Sequence, residues 1–428
     1  MSKYSRRTFI KSAGGGILAS AGFLGLSRPS RAAPNDRIRH AILGVGSQGR
    51  THARTFASFD DCDVVAVCDV DPKQRVRALS DLPGREQVAQ IEDFRTILDE
   101  REIDTVSIAT PDHWHVPIAL AAMKAGKHVY LEKPCCHNVH EGALLAAAAE
   151  KYRKCVQHGT QSRSGAGIKQ AVQFLRDGNL GKIRMAKAIN HQLRDPIGRA
   201  PETDPPPGVN YDLWLGPAPL RPFTRNRWHY NWHWFWDYGT GDIGNDGIHQ
   251  VDVARWGLGV GLPKAVSASG GQLFYDDDHE TPDTQVVTFE YDDCYLVYEM
   301  RLWTDYKMEG HDNGTIFYGD KGILEIGRNG CEVTFIGEPK KRIGGGANLK
   351  PNVRNFIDCV KADDPSRLNA PISEGVLSAM LCHLGNIATR VGRKLKFDAA
   401  SYACVGDPEA NKLLSREYRH GYELPETA

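Results

Sequence analysis

Between residues 37 and 158, short and almost wholly apolar runs alternate with stretches whose apolar positions recur every three to four residues. The runs at 39–43, 64–68, 105–108, 127–131 and 155–158 have the length and content of strands. Helices are predicted between them over 48–58, 72–79, 93–99, 116–125 and 140–151. Strands without polar alternation, each followed by a helix, predict a parallel sheet covered on both faces.

After residue 158 the pattern changes. One helix at 168–177, ended by Gly178, leads to strand-like runs at 182–192, 264–274, 285–291, 295–303, 315–318 and 323–326. Many alternate with period two, and Asp292-Asp293 is placed as a hairpin turn. This predicts a second domain of α+β type built on a large, mostly antiparallel open sheet. A Pro- and Trp-rich excursion at 195–244 is too long for a plain connection and is read as functional. Helical periodicity returns at 352–362, 373–391 and 408–418. The division is a leader at 1–33, a first domain at 34–158 and a second at 159–428, with the helices after 352 free to pack back on the first domain.

A chain of 428 residues is too long for one core, which agrees with two domains. Its 53 basic and 53 acidic residues cancel, so there is no electrostatic case for nucleic acid or an anionic membrane. No apolar run beyond the N-terminus approaches the roughly 20 residues of a spanning helix. The N-terminus differs: Ser5-Arg6-Arg7-Thr8-Phe9-Ile10-Lys11, then a weakly apolar Gly/Ala-rich stretch, then Ser30-Arg31-Ala32-Ala33. Paired arginines, a modest apolar region and small residues at its end read as a twin-arginine export signal and a periplasmic or extracytoplasmic location. Export permits disulfides, but the ten cysteines are not spaced as a disulfide framework, and most read as buried thiols.

The chemistry begins at Gly44-Val45-Gly46-Ser47-Gln48-Gly49, after the first strand and at the start of a helix. Gly44 permits a tight turn, Gly46 a close approach of a pyrophosphate, and Gly49 close packing of helix on sheet. Free N–H groups at that helix start, around Ser47 and Gln48, suit the anion. Asp69 ends the second strand, where a carboxylate accepts both ribose hydroxyls and repels a 2′-phosphate, so NAD is expected rather than NADP. Thr110, Pro111, Asp112 and His115 follow the strand at 105–108 and belong beside the nicotinamide half, or else form a Pro-bearing turn with an Asp cap. Glu132-Lys133-Pro134 closes the strand at 127–131. A lysine there points into the crevice and can polarise an alcohol or carbonyl oxygen and relay its proton; the plain alternative is a surface lysine in a strand-to-helix turn. Downstream, the glycine-rich loop from Trp236 to Gly247 leads into a predicted helix at 248–257. His249 on its first turn is suited to shuttle a proton near neutral pH.

Taken in order, Gly44–Gly49, Asp69, Ala109-Thr110-Pro111 with His115, Glu132-Lys133-Pro134, Trp214-Leu215-Gly216-Pro217 and the Asn-x-Gly-x-His pattern ending at His249 resemble the glucose–fructose oxidoreductase/inositol dehydrogenase/MocA family over essentially all of the chain after the leader. The resemblance implies an N-terminal Rossmann domain, a C-terminal domain whose open sheet builds a homodimer or homotetramer, and a site between them using Lys133 and His249. It departs at Asn245, where many family dehydrogenases carry Asp; an amide cannot act as a base, so either Lys133 and His249 carry the proton relay alone or Asp246 or Asp237 substitutes. Residues 227–236 are dense in aromatics and polar tips, as a sugar-binding wall or a packed loop would be. His229 and His233 lack a partner carboxylate, so no metal is expected. Gln161, Arg163, Trp236, Asp237, Asn245 and His249 are the candidate substrate contacts.

The leading expectation is an NAD-dependent oxidoreductase acting on a secondary alcohol of a sugar, cyclitol or glycoside. Export adds a constraint, because no nicotinamide pool is expected outside the cytoplasm, so the cofactor would be carried out bound. The alternative is a glycosidase that oxidises a sugar carbon transiently and reduces it again. A third reading is a non-catalytic NAD-binding protein.

Overall fold

The computed structural model describes residues 37–427, and the predicted leader lies outside them. The first unit runs β1 (Ile38–Leu43), α1 (Ser47–Ala57), β2 (Cys62–Cys68), α2 (Pro72–Ser80), β3 (Ala89–Ile91), α3 (Phe94–Asp99), β4 (Thr105–Ile108), α4 (His115–Lys124), β5 (His128–Leu131), α5 (Val139–Tyr152) and β6 (Val156–His158). All six strands are parallel in the order β3-β2-β1-β4-β5-β6. The order reverses between β1 and β4, which opens a crevice beyond their carboxyl ends. Strand β3 escapes the sequence pattern because its three residues are only half-buried or exposed.

Local signals set the helix ends. Asp71 caps α2 by accepting the Lys73 N–H at 2.8 Å, with Pro72 as the first helical residue. Asn138 caps α5 by accepting the Glu141 N–H at 2.9 Å. Helix α1 has neither a side-chain cap nor an acid in its first turn, so its first N–H groups stay available to an anion.

The second unit comprises α6 (Ala166–Arg176), β7 (Ile183–His191), α7 (Tyr211–Leu215), α8 (Ile248–Leu258), β8 (Ala265–Gly271), β9 (Thr284–Glu290), β10 (Tyr295–Arg301), β11 (Asn313–Gly319), β12 (Gly322–Gly327), β13 (Gly330–Phe335), β14 (Lys341–Gly344), α9 (Leu349–Ala362), α10 (Ile372–Val391), β15 (Leu395–Asp398), β16 (Ala403–Cys404) and α11 (Pro408–Lys412). Its ten strands form one sheet, β14-β13-β12-β11-β7-β10-β9-β8-β15-β16, antiparallel except where β7 meets β10. The fold class expected from the pattern is the one observed. The expected strands did not include β13 to β16; β14, β15 and β16 are too short to carry a period, whereas β13 alternates over six residues. The helix expected at 408–418 stops at Lys412 because the chain beyond it reaches to the first unit. There Arg416 donates to the His113 carbonyl at 3.0 Å, and the Tyr418 hydroxyl donates to Glu141 at 2.9 Å.

Two tail helices lock the units together. The Tyr130 hydroxyl donates to Asn352 Oδ1 at 2.7 Å, and Asn352 Nδ2 donates to Ser164 at 2.8 Å, all buried. Helix α10 packs against α5 at Gly142, where an added Cβ would stand 3.1 Å from the Val376 side chain and 3.1 Å from Cys136 Sγ. Gly375 meets the His158 ring, leaving no room for a side chain.

Arg163 corrects an expectation. It does not reach the crevice. Its guanidinium grips Asp252 of α8 through contacts of 2.8–3.1 Å, both groups being buried, and meets Glu374 at 3.3 Å. Truncating one member of a buried pair strands the other charge, so Arg163→Met is expected to lower stability by about 3–5 kcal/mol. Chemical denaturation of the variant checks this; an unchanged midpoint would return Arg163 to the candidate substrate contacts.

Candidate active site

A cavity of about 690 Å³ occupies the crevice and is walled by both units. At one end are Gly44, Gly46, Ser47 and Gln48 from the β1–α1 turn, with Asp69 at the end of β2. Gly44 adopts φ +80°, and a Cβ there would stand 2.7 Å from the Ala109 backbone. Gly49 does not face the cavity; a Cβ on it would meet the Gly44 carbonyl at 1.9 Å, which is the helix–sheet packing role. Gly46, by contrast, has open space in front of it.

The Asp69 carboxylate accepts the Val45 N–H at 2.9 Å and the Asp71 N–H at 2.9 Å, tying the glycine turn to the end of β2. Burial pushes its carboxyl up to about 6 against those two bonds, so further donors such as ribose hydroxyls would be accommodated with gain.

The middle of the cavity is bordered by Thr110, Pro111, Asp112 and His115. Thr110 Oγ1 is buried with no partner. Asp112 accepts the Thr240 hydroxyl at 2.9 Å, and burial pushes its carboxyl up to about 8 against that bond and the Lys133 charge. His115 lies between two carbonyls, Pro134 at 2.6 Å and Thr110 at 2.9 Å, and as a neutral ring donates its single N–H to one of them. An uncapped helix start, an open glycine, a ribose-type carboxylate and an orphaned hydroxyl in one elongated cleft fit a nicotinamide dinucleotide.

Lys133 stands at the far end. The Lys133–Pro134 bond is cis. Its Nζ donates to the Asn245 carbonyl at 2.5 Å and to Asn245 Oδ1 at 3.3 Å, and the lysine borders the cavity. Beside it, Glu132, expected at the cofactor, lines the cavity and accepts from Gln48 and His52, each at 2.8 Å. Burial works to raise the Glu132 carboxyl, but His52, Lys133 and Gln48 outweigh it and hold the group well below the usual carboxylate range.

Asn245 and Asp246 belong to a π-helical turn, Ile243–Gly247, that runs directly into α8, so the glycine-rich loop is helical from its middle onward. That turn brings Asn245, Asp246 and His249 to the same wall as Lys133 and Gln161. Arg194 pairs with Asp246 and, at 3.1 Å, with Asp242. The two acids compete for the one cation. Burial and Asp246 raise Asp242; for Asp246 the Lys133 and Arg194 charges overcome burial and keep it ionised. Burial and the Lys133 charge push His249 down to about 4, leaving a neutral imidazole whose Nδ1 is buried without a partner.

The excursion forms the opposite wall. Residues His229–Trp234 make a 3-10 helix, whose three-residue repeat aligns Tyr230 with His233. Both line the cavity, together with Trp232, whose ring stacks on His233 at 3.6 Å. The Asn245 amide donates to the Tyr230 hydroxyl at 3.3 Å. Trp236 and Asp237 lie past the end of that helix and do not line the cavity, contrary to expectation. Asp237 pairs with Arg221 at 2.6 Å, and Trp236 lies under Arg390 at 4.9 Å. The sequence had singled out the aromatic segment but not which members face inward, because a 3-10 period was not foreseen. Arg194 and Asp242 were missed outright, since only tertiary contact brings them to the site.

The fold and this cleft define an NAD-binding oxidoreductase fold. The family profiles agree: residues 38–160 match the NAD-binding Rossmann fold of the Gfo/Idh/MocA oxidoreductase family, and residues 198–424 match its C-terminal alpha/beta domain. The chain belongs to that family. Among solved structures it is similar to the WlbA dehydrogenase from Bordetella pertussis in complex with NADH and UDP-GlcNAcA, with TM-score 0.66, 20% identity, and coverage of 85% of this chain and 99% of that one. It is also similar to an aldose-aldose oxidoreductase from Caulobacter crescentus complexed with glycerol, with TM-score 0.65, 21% identity, and coverage of 84% and 100%. At that identity the likeness speaks for the fold alone. A glycosyl hydrolase family 109 protein of Saccharopolyspora erythraea is 31% identical over 216 residues, 45% of this chain and 47% of the relative. One of Shewanella pealeana is 28% identical over 218 residues, again 45% and 47%. The chain thus spans about half the length of the curated relatives it matches.

The His249 environment makes a measurable statement. With its pKa lowered to about 4, the ring is neutral at pH 7 and protonates only in acid, so it weakens the fold as pH falls from the unfolded value near 6.5 toward 4. Lys133→Met removes the second-largest cause and is expected to raise the midpoint while burial keeps it below 6.5. Histidine NMR titration of both proteins tests this; an unmoved midpoint would separate the two side chains.

Proposed function

We propose that the chain oxidises or reduces a secondary alcohol of a sugar, cyclitol or glycoside, using NAD that stays bound. The observation that carries this reading is Lys133 held on Asn245 at the end of a dinucleotide-type cleft, with His249, Asp246 and an aromatic wall around the same space. NAD, when bound, supplies the two-electron hydride carrier. Gly44, Gly46, Ser47 and Gln48 would hold its pyrophosphate, Asp69 the adenosine ribose, and Thr110 to Asp112 with His115 the nicotinamide side. A carboxylate at Asp69 favours NAD over NADP.

Lys133 Nζ spends two of its three hydrogens on Asn245, and the third serves a substrate oxygen. An ammonium at that oxygen lowers the cost of alkoxide character as its proton departs. His249, neutral at working pH, is the acceptor for that proton, and ionised Asp246 steadies the imidazolium that results. Trp232 offers a face for the C–H side of a sugar ring, while Tyr230, His233 and Gln161 offer hydroxyl partners.

A second reading is a glycosidase that closes its redox cycle on the same sugar through oxidation, elimination, addition of water and re-reduction. The named relatives favour it. So does the number of proton-handling groups: Tyr230, His233 and Asp246 stand beside the Lys133–His249 pair, more than hydride transfer alone requires.

Export by the twin-arginine route and a periplasmic location belong to the same proposal. All ten cysteines are buried and free, which suits a protein that folds in a reducing compartment before folded export. The test is to purify the mature protein, identify bound NAD(H) by absorbance and mass spectrometry, and add a panel of sugars and aryl glycosides. NADH formed from added NAD marks a dehydrogenase, and aglycone release without NADH marks the closed cycle. Lys133→Ala is expected to lower either turnover by about 10²–10⁴-fold. Undiminished turnover in that variant would remove Lys133 from the chemistry.

A further inference from the structure

We propose that residues 203–236 form a strap that closes the adenosine-ribose end of the cleft, so that the dinucleotide is enclosed by both units and leaves only when the strap lifts. The inference rests on the cofactor reading above and adds the residues that govern release. In a sheet of this order the ribose end lies beyond the carboxyl end of β2, at Asp69, where the crevice opens past the strand ends.

Here the excursion crosses that opening and is fastened on its far side. The Asn210 N–H donates to the Val70 carbonyl at 3.4 Å, and Asn210 Nδ2 donates to Glu92 Oε1 at 2.8 Å. His229 Nε2 stands 3.6 Å from the Asp71 carboxylate. The Asp71 N–H is one of the two donors that hold the Asp69 carboxylate, so the strap is tied to the turn that carries the ribose acceptor. The strap's own Trp214, Trp228 and His229 face the cleft, and Gln74, Arg77 and Glu92 line it from the first unit. His229 sits at φ +49°, an uncommon backbone state for a residue with a Cβ, and its ring bridges to Asp71 from there.

The near side of the strap is anchored more firmly. Trp114 Nε1 donates to the Leu213 and Trp214 carbonyls at 3.1 and 3.0 Å in buried surroundings. Gly216, at φ +47°, lies against the Trp114 ring, where a Cβ would approach to 2.1 Å. Arg419 from the C-terminal tail holds Asp212. The Trp114 bonds on one side are buried, while on the other the Asn210–Glu92 bond is solvent-exposed and His229 only approaches Asp71, so the second side is the opening edge.

Asn210 does not line the cavity, so changing it tests the fastening and not a contact to cofactor. Its Oδ1 also caps α7 by accepting the Leu213 N–H at 3.0 Å, a bond that Asn210→Asp keeps while setting a second carboxylate against Glu92. The experiment measures exchange of bound NAD for isotope-labelled NAD and the rate of NAD uptake by stripped protein, with thermal melts as a folding control. Asn210→Asp is expected to speed both release and uptake by about tenfold, the scale of one lost hydrogen bond, with little change in Kd. Adding Glu92→Gln, whose amide again bonds across the gap, is expected to restore slow exchange, read against Glu92→Gln alone because Glu92 itself lines the cavity. Unchanged rates, or faster release without faster uptake, would overturn the strap. A chain that neither carries nor takes up NAD would overturn the cofactor reading itself, a separate outcome.

Discussion

The ammonium of Lys133, bonded to the main-chain carbonyl of Asn245, joins the carboxyl end of a parallel strand to the π-helical turn that starts α8. A lysine at a strand end is ordinarily free to swing. Here two acceptors on one residue fix it, and that residue belongs to the other unit, so the site exists only when both units are docked. The docking is secured elsewhere, by Tyr130 and Asn352 in the core and by α10 against α5. The buried Arg163–Asp252 pair holds α8, and with it His249, against the connection between the units.

Charge in the cleft is apportioned by burial and by who pairs with whom. Glu132 is engaged by His52 and Gln48 and acts as scaffold. Asp246 stays ionised beside two cations, while Asp242 behind it and Asp112 across the cavity are pushed toward the protonated form. Burial also holds His249, His115 and His233 in the neutral form. The resulting space contains an ammonium, neutral imidazoles and a carboxylate within one aromatic-walled chamber, an arrangement suited to moving protons on hydroxyl groups.

Much of this was legible beforehand. The glycine turn, Asp69, the loop at Thr110–His115 and Lys133 all follow strands, and a parallel sheet places strand ends together, so their convergence follows from order alone. The second unit was harder to read. Lys341–Gly344 is too short and too charged to give a period-2 signal, because its partner and not its own apolar content makes it a strand, whereas Gly330–Phe335 does alternate apolar with polar residues and was legible in principle. Arg163 looked like a cleft residue from its place after β6, yet it turned toward a carboxylate 89 residues away.

By itself, then, the sequence determined the two-unit architecture, the dinucleotide turn and the lysine, because strand order, glycine conformation and apolar periodicity are local properties. Which faces of the excursion look inward was decided only by tertiary structure. A 3-10 turn aligned Tyr230 with His233 and left Trp236 and Asp237 outside, and ion pairing drew Arg194 to Asp242 and Asp246. Those choices depend on partners distant in the chain, and burial sets the strength of each pairing only after the units have closed on one another.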